Sequence, residues 1–478
     1  MTSAVPASED PAPQRRTHDR ESPPRRLGGT HEPEGIARVL PGTATVDGGR
    51  LTHIGGVAVE TMAERFGTPL YILDHADVVA RMRQYRTAFG ADVDIEYASK
   101  ALCVTAVLQI AAAEGLHVDV ASEGELETAV RADVPPDRIV LHGNNKSARE
   151  LRRALDLRVG RIVVDSFDEL DRLTKMVDPT GPPAQVWLRT APGVGAGGHE
   201  HIRTGQDDTK FGFPRGEGGI EAAVAAVGAT DGLRLRGLHC HVGSQVTDGH
   251  AYDKAVGAMV AILAGLRDRL GIEMEELNLG GGLGIAYLPS DPEPDIAGYA
   301  AAIRSALTAA CARHGLAVPR LAVEPGRSIV GRAGVTLYEV GTVKEVPGVR
   351  TFAAVDGGMS DNLRPALYDA RYTFVSAGGG PAVAGTKPFS VVGKHCESGD
   401  LLGTDVLLPE DLASGDLIAV AATGAYTSVL ASNYNRLPRP AMVLVRDGRA
   451  DLIVRRESID DVLSRDVPLH DPGHSSEE

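Results

Sequence analysis

From about residue 70 to 327, short β-rich runs alternate with helical patterns such as "SARELRRALDL" and "DIAGYAAAIRSALTAACARHG". This alternation constrains the fold more than any other feature of the chain. It implies a parallel sheet with helices outside, because parallel neighbours need a crossover long enough to hold a helix. The strand candidates are "LYILD" (70–74), "VDIEYAS" (93–99), "HVDVAS" (117–122), "IVLHG" (139–143), "RIVVDS" (161–166), "QVWLRT" (185–190), "RLRGLHCHV" (234–242), "LNLG" (277–280) and "RLAVEP" (320–325). That is one more than a closed eight-stranded barrel takes. We place "LYILD" outside as a connector and begin the barrel with the strand that leads to Lys100. After residue 327 the texture changes to strands and turns, as in "GVTLYEVGTVKEV" and "AMVLVRDGRADLIVRR", which predicts a β domain. The expected division is a disordered Pro/Arg-rich leader (1–35), strands joining the β domain (36–66), the barrel (67–327), a C-terminal β domain (328–466) and a flexible tail (467–478).

The chain has 478 residues, 43% of them hydrophobic, enough for a large core. Its formal charge of -15 argues against a nucleic-acid or anionic-membrane surface as the main partner. The longest apolar stretch, "AVGAMVAILAGL" (255–266), is too short for a membrane span of roughly 20 residues and reads as a buried helix. The leader has no apolar run that could form a signal-peptide core. Cys103, Cys240, Cys311 and Cys396 are widely spaced and include no CxxC pair, which points to reduced thiols in a cytoplasmic protein.

The unusual residues fall where the strands end. In a barrel of this type the functional groups come from loops at the C-terminal ends of strands. Lys100 follows the first barrel strand, "HGNNKS" (142–147) the third, "HCHVGSQ" (239–245) the sixth, "GGGLG" (280–284) the seventh and "EPGR" (324–327) the eighth. The glycine run lets backbone N–H groups approach an anion closely, and its place after the seventh strand is a frequent phosphate site in barrels. A lysine facing the interior beside a phosphate site suggests a Schiff base with pyridoxal 5'-phosphate. Glu324 would then keep the pyridine nitrogen protonated; its structural alternative is an ion pair with Arg327. His239 and His241, sharing a strand face, invite a rival reading as ligands of a metal-dependent barrel hydrolase.

"YASKA", "HGNNKS", "HCHVGSQ", "LGGGLG", "EPGR", "DGGMSDNLRPALYDA" (356–370), "GKHCESGDLL" (393–402) and "GAYTSVLASNYNRLPRP" occur in that order. Together, over about residues 36–465, they resemble the diaminopimelate decarboxylases, fold-type III pyridoxal-phosphate carboxy-lyases with an alanine-racemase-like (β/α)8 barrel and a C-terminal β domain. The resemblance implies conversion of meso-2,6-diaminopimelate to L-lysine and CO2, the last step of lysine biosynthesis. It implies that Lys100 carries the cofactor, that His241 stacks on its ring and that Glu324 contacts its nitrogen. Ser244, Gly280, Gly281, Gly282 and Tyr426 would hold the phosphate, with Pro325, Gly326 and Arg327 lining the cofactor. Arg327, Arg364, Tyr368 and Tyr426 would meet the substrate, Glu397 its distal ammonium. Cys396 would donate the proton from the second subunit of a homodimer with composite sites. Decarboxylases of ornithine, arginine or carboxynorspermidine share the lysine, histidine and glycine motifs and are the alternative; a regulatory homologue without cofactor is disfavoured by the intact Lys100, Glu324 and Cys396. The spelling "NYNRLPRP" and the Pro-rich leader depart from the family pattern without touching a catalytic position.

Overall fold

The computed structural model describes residues 33–191, 193, 210–241, 243–247 and 250–469. Most of the leader and residues 470–478 of the tail therefore lie outside the described residues, while Pro33–Ala37 is a one-turn helix across the leader's boundary.

Eight parallel strands close into a barrel: β1 (Asp94–Ala98), β2 (His117–Val120), β3 (Ile139–Leu141), β4 (Arg161–Val164), β5 (Ala184–Arg189), β6 (Leu233–His239), β7 (Glu276–Asn278) and β8 (Arg320–Val323). Pairing of Ala322 with Asp94 and of Val323 with Ile95 closes the ring. These are the strands expected from the alternation, and helices such as Ala148–Leu157, His250–Leu270 and Ile296–His314 fill the crossovers. Among the described residues no helix is long and apolar enough to cross a membrane.

"LYILD" does lie outside the barrel, but it is more than a connector. Leu70–Asp74 is a fully buried strand, antiparallel to Gly334–Val346 and parallel to Ala441–Arg446. Burial on both faces explains its unbroken apolar run, which resembles a barrel strand in sequence. It belongs to a twelve-stranded, mostly antiparallel sheet built chiefly from residues after 334. That sheet also takes in Thr45–Asp47, Arg50–Ile54 and Val57–Ala58 from the N-terminal side, through pairing of Arg50 and Leu51 with Ser376 and Ala377.

The strand period of two arranges the barrel interior in layers. Val140, Val163, Trp187 and Ala322 form a small apolar cluster of their own, distinct from the large core between barrel and helices. Towards the N-terminal ends of the strands, Glu276 is 3% exposed and accepts from Trp187 Nε1 at 2.7 Å, from Arg161 Nε at 2.8 Å and from Arg236 Nη2 at 3.0 Å. Towards the C-terminal ends, two positions beyond the apolar residues of β3, β4, β5 and β8, stand His142, Asp165, Arg189 and Glu324, with Asp119 of β2 and His239 of β6 beside them. The apolar layer thus separates a structural charge cluster from a polar layer at the mouth.

Burial pushes the Glu276 carboxyl up, but the Arg161 guanidinium and the Trp187 and Arg236 donors outweigh it and hold the group below its ordinary value. A depressed folded-state pKa contributes stability that is present above the unfolded value, about 4.3, and is lost as pH falls through the folded value. Glu276→Gln should therefore lower stability at pH 7 by about 2 kcal/mol, since it leaves two half-buried arginines without their carboxylate. The gap between variant and parent in urea midpoint should shrink below about pH 4; a gap independent of pH would show that the carboxylate charge is not what Glu276 contributes.

Candidate active site

β1 ends at Ala98, whose N–H donates to Pro325 O at 3.1 Å, and a 3-10 turn over Ser99–Ala101 lifts Lys100 to the mouth. Tyr426 N–H donates to Ala101 O at 2.9 Å and fixes the other side of that turn. Tyr426 reaches it from a left-handed backbone (φ 56°), a conformation uncommon for a non-glycine residue. The Lys100 side chain is 40% exposed, and its Nζ donates to Asp119 Oδ2 at 2.8 Å. Burial opposes its charge, but Asp119, Glu324 and Tyr426 together raise its pKa above that of an ordinary lysine.

Beside Lys100 lies a buried polar cluster of Glu324, His142 and His239. His239 Nε2 lies 3.0 Å and His142 Nε2 3.4 Å from Glu324 Oε1, and the two imidazoles meet edge to face with centroids 5.0 Å apart. Burial pushes the Glu324 carboxyl up, yet His142, His239 and Lys100 hold it well below the usual carboxylate range. Burial also holds His142 far below its ordinary value. Glu324 Oε1 and His142 Nε2 nonetheless lack a well-aligned hydrogen bond, so this floor has bonding capacity left for a guest.

The expected pairing of His239 with His241 does not occur. His239 turns to Glu324, whereas His241 Nδ1 sits 3.4 Å from the Gly281 N–H; burial and the Lys100 charge push its pKa down to about 3, leaving the ring neutral. Among the described residues, the grouping with metal-ligand spacing is instead His142, His239 and Glu324, whose donor atoms lie within 4.8 Å of one another. Such a trio can face a cation or a protonated ring nitrogen.

The glycine run stands beside this floor. A Cβ at Gly281 would lie 2.0 Å from Glu324 O, and one at Gly282 would lie 2.6 Å from Gly243 O, so the run packs backbone to backbone against the ends of β6 and β8. Gly280 N–H donates to Asn278 Oδ1 at 2.7 Å, and Asn278 Nδ2 donates to Glu96 Oε2 at 3.1 Å. Next to it, Arg327 Nη2 donates to Ser244 Oγ at 2.8 Å, Nη1 donates to Tyr287 Oη, and the guanidinium lies 4.7 Å over the Tyr426 ring. Arg327 is thus engaged with Ser244 and Tyr287, not in the ion pair with Glu324 that was its structural alternative. Gly326 packs against Ala98 and Ala101, its Cβ position 3.0 Å from each methyl carbon.

Tyr287 connects this cup to a second guanidinium. Arg364, 8% exposed at the start of the helix Arg364–Tyr368, stacks 4.7 Å over the Tyr287 ring and donates to Tyr372 Oη. Tyr368 ends the same helix, half-buried. Neither Arg327 nor Arg364 has a carboxylate partner among the described residues. Cys396 and Glu397 lie elsewhere, on an exposed turn of the β sheet, where Cys396 N–H donates to Asn435 Oδ1 at 3.3 Å and Glu397 Oε1 accepts from Gly399 N–H at 3.1 Å. Sequence reasoning left Asp119, His142, Tyr287 and Tyr372 unassigned. For Asp119 and His142 the signal was available, since both continue the inward alternation of β2 and β3.

Residues 75–331 match the family described as "Pyridoxal-dependent decarboxylase, pyridoxal binding domain". The chain is 46% identical over 420 residues to the diaminopimelate decarboxylase of Bacillus subtilis, covering 87% of this chain and 95% of that protein. Two crystal structures of a diaminopimelate decarboxylase from M. jannaschii, one of them in co-complex with L-lysine, superpose with TM-scores of 0.83 and 0.81 at 32% identity, covering 90% and 89% of this chain and 98% of theirs. A lysine at the mouth of a fold-type III barrel, set over a buried carboxylate and a glycine cup, thus accompanies sequence likeness along nearly the whole chain: this protein belongs to the diaminopimelate decarboxylase family of pyridoxal-dependent decarboxylases.

Proposed function

We propose that this chain converts meso-2,6-diaminopimelate to L-lysine and CO2 with pyridoxal 5'-phosphate held at the barrel mouth. The observation that carries the reading is the contrast between two lysines. Lys146 is 2% exposed, and its amine donates to Gly143 O, Val163 O and Glu169 Oε1, so it is spent on structure. Lys100 has one carboxylate partner, partial exposure and a buried floor beneath it.

The residues fit the cofactor. Lys100 would hold the aldehyde carbon, Glu324 the ring nitrogen, and His241, neutral, a ring face. The glycine run with Ser244, Arg327 and Tyr426 would hold the phosphate, which gives the buried Arg327 charge the anion it lacks. When bound, the cofactor supplies a sink for the electron pair left by a departing carboxylate. Glu324, kept ionised by its neighbours, favours a protonated ring nitrogen. Asp119 holds the Lys100 amine in place when it is not engaged.

Substrate choice rests on Arg364. A second buried guanidinium, stacked on Tyr287 and bonded to Tyr372, suits a distal carboxylate, which meso-diaminopimelate has and ornithine or arginine lacks. A substrate without it would leave Arg364 buried and unpaired. Glu397 meets the distal ammonium and Cys396 returns the proton, both from the partner subunit of a homodimer. The exposure of both residues on this chain's β sheet supports that arrangement.

Borohydride reduction of the purified protein followed by peptide mass mapping should place a pyridoxyl group on Lys100; a label on another lysine, or no label and a stoichiometric bound metal, would overturn the cofactor reading. In a substrate panel, meso-diaminopimelate should be decarboxylated far faster than ornithine, arginine or lysine. Arg364→Ala should cut its kcat/KM by about ten- to hundredfold, and comparable turnover of ornithine by the parent enzyme would reassign the substrate. After subunit exchange between Lys100→Ala and Cys396→Ala dimers, about a quarter of parental activity should return, because each mixed dimer regains one intact site. Exchange without recovery would put both residues in one chain's site.

A further inference from the structure

The turn carrying Cys396 and Glu397 is exposed, yet it is tethered to a buried dyad on the β sheet. Asp400 is 3% exposed and accepts three hydrogen bonds: Met359 N–H at 2.7 Å, His395 N–H at 2.9 Å and His395 Nδ1 at 2.8 Å. Two glycines close on the same carboxylate, since a Cβ at Gly358 or Gly393 would lie 2.6 Å or 2.2 Å from its oxygens. His395, itself buried, lies parallel to Tyr434, with centroids 5.3 Å apart and planes at 3°. Its Nε2 has no hydrogen-bond partner among the described residues, so the ring's polar bonding is directed at Asp400. The residue after Tyr434, Asn435, adopts a left-handed backbone (φ 52°) and accepts the Cys396 N–H.

Parts of "DGGMSDN", "GKHCESGD" and "NYNR" that the chemistry above does not use therefore converge on the residue before Cys396 and the residue four after it. Between these anchors, Cys396, Glu397, Ser398 and Gly399 are all exposed. A short exposed segment with both ends fixed has few arrangements open to it, and the placement of a reacting group within about 1 Å governs rate.

We infer that Asp400 and His395 are positioning residues for the protonation step: they clamp the turn so that the Cys396 thiol is presented in one arrangement to a neighbouring barrel. The inference rests on the reading of Cys396 as proton donor. A double-mutant cycle on the cofactor-loaded enzyme tests it, with kcat for meso-diaminopimelate measured in the parent, His395→Phe, Cys396→Ala and the double variant. Phenylalanine keeps the ring stacked on Tyr434 and removes only the bond to Asp400. His395→Phe should lower kcat about tenfold, as the loss of a charge-assisted contact would, with KM moved less. In the Cys396→Ala background the same change should alter kcat less than about twofold, because the two residues act through one step. Asp400→Asn should repeat the pattern. An equal drop in both backgrounds, no drop in the parent, or loss of the folded protein in both dyad variants would overturn the inference and assign the dyad to the fold alone. If Cys396→Ala instead kept parental kcat while His395→Phe lost it, the proton-donor reading would be the one that fails, and the inference with it.

Discussion

A carboxylate inside a barrel cannot be left to itself, and much of this structure follows from how its buried charges are answered. Taking an ion out of water costs several kcal/mol unless opposite charge and hydrogen bonds compensate. Glu276 is compensated completely by two arginines and an indole, and the result is a rigid base. Glu324 is compensated only in part, by two imidazoles and the more distant Lys100 charge, and one of its oxygens remains poorly bonded. Strands of the same barrel build both sites, β6 contributing to each through Arg236 and His239, and a thin apolar layer separates them. Full compensation gives stability at one end; partial compensation leaves a place for chemistry at the other.

The barrel was legible because its period-two strands and helical crossovers repeat, and because the unusual residues cluster at one set of strand ends. Lys100, Glu324 and the glycine run could be assigned chemistry from that placement alone. "LYILD" reads as a connector beside the barrel because its sheet partners lie far away in the chain, and only they show that this doubly buried run is a sheet strand. His239 and His241 were paired by the strand alternation, but β6 ends at His239, and beyond that point the period no longer holds. Tyr287 and Tyr372 carried no local signal. Their importance lies in joining Arg327 to Arg364 across the barrel and the β sheet, which is a property of the folded chain.

If Arg327 serves the cofactor and Arg364 the substrate, as proposed, one scaffold would separate general chemistry from selectivity. Arg327 opens the short helix after β8 and sits by the glycine cup, beside Ser244. Arg364 comes from the β sheet's side of the molecule. Tyr287 touches both, so the position of Arg364 is referenced to the cup through a single aromatic ring.

The strand Leu70–Asp74 has a consequence for how the protein is made. It leaves the ribosome before any barrel strand, but its partners, residues 334–337 and 441–445, are synthesised only after the barrel is complete. Until then an apolar segment waits without the neighbours that will cover it. The barrel is in effect an insertion into the sheet, and a nascent chain halted after β8 would expose a sticky edge where the finished protein has an interior.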